Sequence, residues 1–337
     1  MNRSPDPPIP KLLIATESRL DLWVAPEWFA EGLQKKFPQL EVVRVTSFDG
    51  IDAVLADTQI MFTQSISPEQ FTAARKLRWI HSSAAAVHQF LFPELVESDV
   101  ILTNAREVHG GGVAEHVMAL IFAIAKRIPE SIRFQEKHVW GQEILWQGSA
   151  CPLDIAGATI GIVGFGSIGS NVAKYVKAMG MKVIVVRERP GKVRPEFVDE
   201  ELPSSKLDEM LAKSDYVVLS PPLTPETRGM IGREQLAKMK SSAHLINVGR
   251  GPLIDEAALI EALRDHKIGG AALDVFDQEP LPADSPLWDL ENLLITPHAA
   301  GMAGNLWQRH YDLFSENLRR FLKGEPLLGL VDKQRGY

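Results

Sequence analysis

Cysteine is nearly missing from this chain of 337 residues: Cys151 stands alone, so no internal disulfide can form. A basic excess is missing too. Lys and Arg number 36 against 43 Asp and Glu, a formal charge of -7, which removes any general field for nucleic acid or an anionic membrane. Any basic site must therefore be local. The opening MNRSPDPPIPK lacks the apolar core of a signal peptide, and with the single cysteine it sets a cytoplasmic address as the expectation. The longest apolar run, VMALIFAIA from Val117 to Ala125, falls short of the roughly 20 residues that span a bilayer and reads as a buried helix. Internal repeats and low-complexity tracts are absent, and no metal site is expected.

What is present is the composition of a folded protein, 45% hydrophobic and 23% charged, in a chain long enough for two domains with a core each. LLIATE (Leu12 to Glu17), EVVRVT (Glu41 to Thr46), QIMFT (Gln59 to Thr63), RWIHSS (Arg78 to Ser83) and ILTN, ending at Asn104, alternate with helical patterns such as APEWFAEGLQKKF. That alternation predicts a first α/β lobe of parallel strands. GGGVAEHVMALIFAIAKRIPE predicts a helix opened by its glycines and stopped before Pro129, apolar on nearly every face as a helix at a subunit interface is. Beyond a connection carrying Trp140 and Trp146, a second alternation runs through TIGIV (Thr159 to Val163), MKVIVV, YVVLS, AHLINV, GGAALDV and NLLITP. This is the signature of a doubly wound sheet. A last helix, from about Asn305 to Leu322, follows and can return to the first lobe.

GFGSIG, Gly164 to Gly169, sits between the strand TIGIV and the helical NVAKYVKAMG. Gly164 permits a tight turn, Gly166 lets backbone approach a pyrophosphate, and Gly169 allows close helix-to-strand packing. With Ser167 and Ile168 they open a helix whose amides and dipole favour an anion, so dinucleotide binding is expected. In NAD-binding folds an acidic residue at the end of the second strand accepts from the ribose 2′-hydroxyl. Here MKVIVVRERP is expected to leave its strand at Val186 and continue with Arg187, Glu188 and Arg189. Two readings follow. Arg187 and Arg189 bind the 2′-phosphate of NADP, or this is a solvated turn with Glu188 serving NAD.

Three further pieces, NVGRGPLIDEAAL (Asn247 to Leu259), LDVFDQEP (Leu273 to Pro280) and ITPHAAG (Ile295 to Gly301), fall at or just past the ends of predicted strands. In an open α/β sheet those carboxyl ends line the ligand crevice. Reduction of a 2-keto acid requires a cation for the carboxylate and carbonyl, a proton donor, and a carboxylate to orient the donor; Arg250, His298 and Glu279 supply those residue types in turn.

These segments, with PLTPETRGMI (Pro222 to Ile231), KLRWIHSSAAAV and NAREVHGGGVAEH, give the chain a resemblance along nearly its whole length to the D-isomer-specific 2-hydroxyacid dehydrogenase family. The resemblance implies two Rossmann-like doubly wound α/β domains with a cleft between them. One is a flavodoxin-like substrate domain of residues 1–104 and 300–337; the other is an inserted dinucleotide-binding domain of residues 105–299. It implies Arg250, Glu279 and His298 as catalytic residues, with Arg250 also binding substrate beside a loop of Ala85, Ala86 and Val87. It further implies cofactor contacts from Pro222, Thr227, Val248 and Asp274, a small 2-keto or 2-hydroxy acid as partner, and a homodimer formed through the cofactor domain.

Three places depart from the family pattern: Ala86, Val87 and His88 replace Gly-Val-Asp, Ser220 and Pro221 replace a His and a small apolar residue, and Arg187 replaces the acidic residue. The last is a feature of NADP-preferring glyoxylate and hydroxypyruvate reductases. Trp140 and Trp146 resemble a connection of those reductases and either close the pocket or only pack. The expected function is NADPH-dependent reduction of a small 2-keto acid of the glyoxylate, hydroxypyruvate or phenylpyruvate type to a D-2-hydroxy acid, or the reverse, with NAD possible. Two alternatives stand beside it: a dinucleotide-sensing corepressor-like interaction protein on the same fold, and a formate- or phosphite-type oxidoreductase of the same family.

Overall fold

A computed structural model describes residues 10–18, 20–48, 51–147, 151–188 and 193–336. The chain divides into two compact units, Met1–His109 with Ala303–Tyr337, and Gly110–Met302.

In the first unit five parallel strands, β1 (Lys11–Ala15), β2 (Glu41–Val45), β3 (Thr58–Thr63), β4 (Trp79–Ser82) and β5 (Ile101–Asn104), lie in the order β2-β1-β3-β4-β5. This is the flavodoxin-like order. The strands read as apolar runs because both faces are covered: Leu13, Met61, Ile80 and Leu102 face one cluster, and Leu12, Ile14, Ile60 and Phe62 the other. The helix Leu306–Lys323 lays Phe314 and Leu318 on the second cluster, with the rings of Phe62 and Phe314 4.9 Å apart. Burying each such ring contributes roughly 1.5–3 kcal/mol. Past that helix, Lys333 Nζ donates to the carbonyls of Leu95, Ser98 and Val100 and ties the tail to this unit.

The second unit holds seven parallel strands: β6 (Thr159–Val163), β7 (Lys182–Arg187), β8 (Glu200–Pro203), β9 (Tyr216–Leu219), β10 (His244–Asn247), β11 (Gly270–Leu273) and β12 (Leu293–Ile295). Their order is β12-β11-β10-β9-β6-β7-β8, doubly wound about β6. The two-sheet α/β architecture is as expected, but β8, whose sequence is EELP, was not anticipated: it is a short, polar edge strand.

The apolar helix also differs from expectation. It spans Arg106–Ala125, so its glycines lie inside it. A Cβ on Gly110 would come 1.9 Å from Ser167 Oγ, so the glycine answers a close approach by the helix that follows the GFGSIG turn. The helix ends before Arg127, which is left-handed (φ 56°), and Pro129 lies in the first turn of the next helix, Ile128–Glu136. By length and composition the Arg106–Ala125 helix could cross a membrane, yet Val113, Val117 and Ile121 are buried in one cluster with Ile160, Ile162 and Val183 of the sheet. It is a core helix with a narrow exposed stripe through Glu115, Ala119 and Phe122.

Candidate active site

The GFGSIG turn uses each glycine differently. Gly164 has φ 88°, and a Cβ there would lie 2.6 Å from the backbone nitrogen of Pro221. On Gly169 a Cβ would lie 2.1 Å from the Gly164 carbonyl oxygen, so the helix Ser167–Ala178 starts hard against the turn. A Cβ on Gly166 meets nothing within 4 Å. Ser220 Oγ donates to the Gly164 carbonyl at 3.1 Å and braces the turn from β9. The first amides of that helix have no intrahelical acceptor and lie beside the open space over Gly166, so these residues fit a dinucleotide pyrophosphate.

Arg187 is the last residue of β7, one beyond the expected strand end. Its Nε donates to Glu201 Oε1 at 2.6 Å, and its guanidinium carbon lies 5.3 Å from the centre of the Phe165 ring. Arg189, the second expected phosphate contact, lies outside the described residues.

Three loops after β10, β11 and β12 carry the chemistry. Asn247, fully buried at the end of β10, accepts from the Gly249 amide (3.0 Å) and donates to the Arg250 carbonyl (2.9 Å), which fixes the turn that presents Arg250. Arg250 Nη1 donates to the Gly249 carbonyl at 2.6 Å. A Cβ on Gly251 would sit 2.0 Å from the Phe276 carbonyl carbon, so this glycine lets the first loop close on the second. There Glu279 Oε1 accepts from the Phe276 amide at 3.0 Å, while Oε2 meets His298 Nδ1 at 2.5 Å. Burial lowers the pKa of Arg250, and the Glu279 charge opposes that. Burial pushes Glu279 up, but the bonds from His298 and the Phe276 amide, with the charges of His298 and Arg250, outweigh it and leave the carboxyl below its usual value.

His298 is itself left-handed, with φ 53°, an unfavourable conformation for a non-glycine residue that its surroundings must enforce. Asp274 does this. Its carbonyl accepts from the His298 amide (2.9 Å), and its carboxylate accepts from the Ala299 amide (2.8 Å), the Ala300 amide (3.0 Å) and Thr296 Oγ1 (2.6 Å). His116 Nε2 meets the same Thr296 hydroxyl at 3.0 Å. An arginine, an ionised carboxylate and an imidazole held at one nitrogen can bind an anion and move one proton.

The profile of the D-isomer specific 2-hydroxyacid dehydrogenase, NAD binding domain family matches residues 118–300, more than half of the chain. The chain is 35% identical over 318 residues to a glyoxylate reductase of Korarchaeum cryptofilum, covering 94% of this chain and 90% of that protein. It belongs to the D-isomer specific 2-hydroxyacid dehydrogenase family. A glycerate dehydrogenase of Methylorubrum extorquens is 40% identical over 231 residues, covering 67% of this chain and 70% of that one. Among solved structures, the NADPH-dependent glyoxylate/hydroxypyruvate reductase of Sinorhizobium meliloti, in complex with NADP and sulfate, has a TM-score of 0.81 at 28% identity, with 97% and 100% of the two chains covered. This dehydrogenase is thus an NAD(P)-dependent oxidoreductase.

Within the dehydrogenase, two of the three expected catalytic residues, Glu279 and His298, meet, and the Arg250 charge acts on Glu279. Of the other expected contacts, Val248 places its side chain in the core, and its amide donates to the Leu219 carbonyl. Thr227 Oγ1 donates to the Pro222 carbonyl (2.7 Å) and accepts from the Thr224 amide (2.8 Å), stapling that loop. Asp274 is 1% exposed and organises the His298 loop from below. In its own unit, the loop Ala85 to Val87 is tethered by Asn104 Nδ2, which donates to the Ala85 carbonyl at 2.6 Å. Among the described residues, the amides of Ala85, Ala86 and Val87 have no acceptor, a donor set that suits a carboxylate. Asn247, Thr296, His116 and Glu201 were not singled out from sequence. Asn247 and Thr296 lie inside the motifs, next to strand ends, and could have been read as braces; His116 and Glu201 carry no local signal.

Proposed function

We propose that this dehydrogenase reduces a small 2-keto acid to a D-2-hydroxy acid with NADPH as the preferred cofactor. The observation that carries the reaction is the 2.5 Å contact between His298 Nδ1 and an ionised Glu279. A carboxylate can only accept there, so the Nδ1 proton stays on the ring, and Nε2 is the nitrogen left to give or take a proton. Bound nicotinamide supplies the hydride in reduction. His298 Nε2 gives its proton to the keto oxygen as charge develops there, and Glu279 stabilises the imidazolium form that precedes this. Arg250 contributes fork donors for the substrate carboxylate and carbonyl.

The NADPH preference rests on Arg187 at the end of β7, where an NAD enzyme carries an acid. The test is a panel of glyoxylate, hydroxypyruvate and phenylpyruvate with each reduced cofactor, followed by nicotinamide absorbance. Turnover with a higher kcat/KM for NADPH is expected, and Arg187→Asp should shift the ratio toward NADH by about 10–100-fold, the value of one or two charge-assisted hydrogen bonds. No turnover on the whole panel removes the reductase reading, and parity of the two cofactors removes the preference.

We also read the protein as a cytoplasmic homodimer. Ile132, Trp140, Ile144 and Trp146 are 50%, 87%, 56% and 76% exposed along one stretch of the chain, and large apolar side chains exposed together are a mark of an interaction surface. Light scattering should give twice the monomer mass, and Trp140→Glu with Trp146→Glu should halve it. A monomeric wild type would remove this reading.

A further inference from the structure

Arg187 is gripped from two sides. Glu201, on the neighbouring strand β8 and in register with Val185, places its side chain, 7% exposed, under the guanidinium and accepts from Nε at 2.6 Å. The Phe165 ring, from the first variable position of the glycine turn, covers a face at 5.3 Å. Phe165 is in turn backed by Phe197, 6.3 Å away, whose ring lies under Lys174 Nζ at 5.5 Å. Among the described residues, the two η nitrogens of Arg187 have no hydrogen-bond partner.

A nearly buried carboxylate is an odd neighbour for a phosphate-binding arginine if net charge alone decides affinity, since it repels the incoming anion. Geometry offers the opposing effect. A free arginine carries about 2 kcal/mol of rotamer entropy that must be given up on binding, and a guanidinium already fixed along its ε edge gives up less. We propose that Glu201 is a specificity-determining positioning residue: it pins Arg187 Nε against Phe165, leaves the η donors for the 2′-phosphate, and so sets the preference for NADP over NAD. This rests on the cofactor preference proposed above.

Calorimetric binding of NADP+, NAD+ and 2′,5′-ADP to the full chain tests it without turnover. Glu201→Ala should weaken NADP+ and 2′,5′-ADP by about tenfold, the worth of one charge-assisted contact, and leave NAD+ nearly unchanged. Glu201→Gln, whose amide oxygen still accepts from Nε, should bind both as the wild type does. On an Arg187→Ala background, Glu201→Ala should add no further selectivity change. If Glu201→Ala does not fold, Glu201→Asp, which draws the carboxylate back by one methylene, should show the same selective loss. Tighter or unchanged NADP+ binding in Glu201→Ala, or in Glu201→Asp where Glu201→Ala does not fold, overturns the proposal, as does equal weakening of both dinucleotides or an effect that persists without Arg187. A wild type that binds NADP+ no better than NAD+ sinks the cofactor preference and this proposal together; a selective wild type with an unselective response to Glu201 sinks this proposal alone.

Discussion

His298→Asn is expected to lower kcat for 2-keto-acid reduction by about 10²–10⁴, the usual contribution of a positioned general acid, while dinucleotide affinity stays as it was. Asparagine is the informative replacement because position 298 is left-handed, with φ 53°, and asparagine tolerates that conformation better than most residues. The Asp274 bracket on the amides of residues 298 to 300 then survives, and only the titrating ring is lost. Glu279→Gln should fall less far: the amide can still accept from the Phe276 amide and meet the ring, but the negative charge that favours an imidazolium is gone. Steady-state rates in the reducing direction, with dinucleotide binding measured beside them, separate the two. A His298→Asn enzyme turning over at near wild-type rate would remove His298 as the proton donor.

The residues of that constellation were legible in sequence because each lies in a loop that follows a strand of a doubly wound sheet, and strand ends converge whatever their spacing along the chain. Arg250 and His298 lie 48 positions apart, yet β10, β11 and β12 are neighbours in the order of the sheet. The glycine turn was legible for a similar reason, since Gly164 answers a contact with the segment just after β9 and Gly169 one within the motif, while Gly166 faces open space. Contacts made by distant elements were not. Gly110 opens no helix; it makes room for Ser167 across a helix pair, and no periodicity reports a partner 57 residues away. β8 was missed because an edge strand can be polar, and EELP has none of the apolar alternation by which strands are found. Losing β8 hid Glu201, so Arg187 looked like a solitary replacement of an acidic residue when its acid stands one strand over. Asp274 reads in sequence as a ligand contact; its burial and four hydrogen bonds give it the further task of holding His298 in place.

Stability should fall steeply as pH drops from about 6.5 toward 4, well before most carboxylates titrate. Three buried histidines cause it. Burial alone pushes His81 down to about 3, and burial with the Arg127 charge takes His244 to about 4. Burial, then the His109 and His81 charges, depresses His310 well below its ordinary value. His81 stacks on Phe62 with its Nδ1 at 2.8 Å from the Thr103 hydroxyl, and among the described residues both His81 Nε2 and His310 Nδ1 are buried without a hydrogen-bond partner, so no acceptor among them compensates a second proton. All three rings are neutral when folded and protonate near 6.5 when unfolded, so the unfolded chain binds more protons below that pH and stability drains until the folded values are reached. At pH 5 each ring should cost about 2 kcal/mol, a large share together of the roughly 5–15 kcal/mol that holds a typical protein folded. Denaturant unfolding followed from pH 7.5 to 5 measures the slope. His81→Gln, whatever it costs at pH 7.5, should flatten that slope by about one proton, or about 1.4 kcal/mol per pH unit. The carboxylates held low by lysine and arginine partners, such as Asp199 and Glu316, lose their pairing only at lower pH and do not mask this window. A flat wild-type profile down to pH 5, or a His81→Gln profile parallel to it, would show that these rings are not held neutral by the fold.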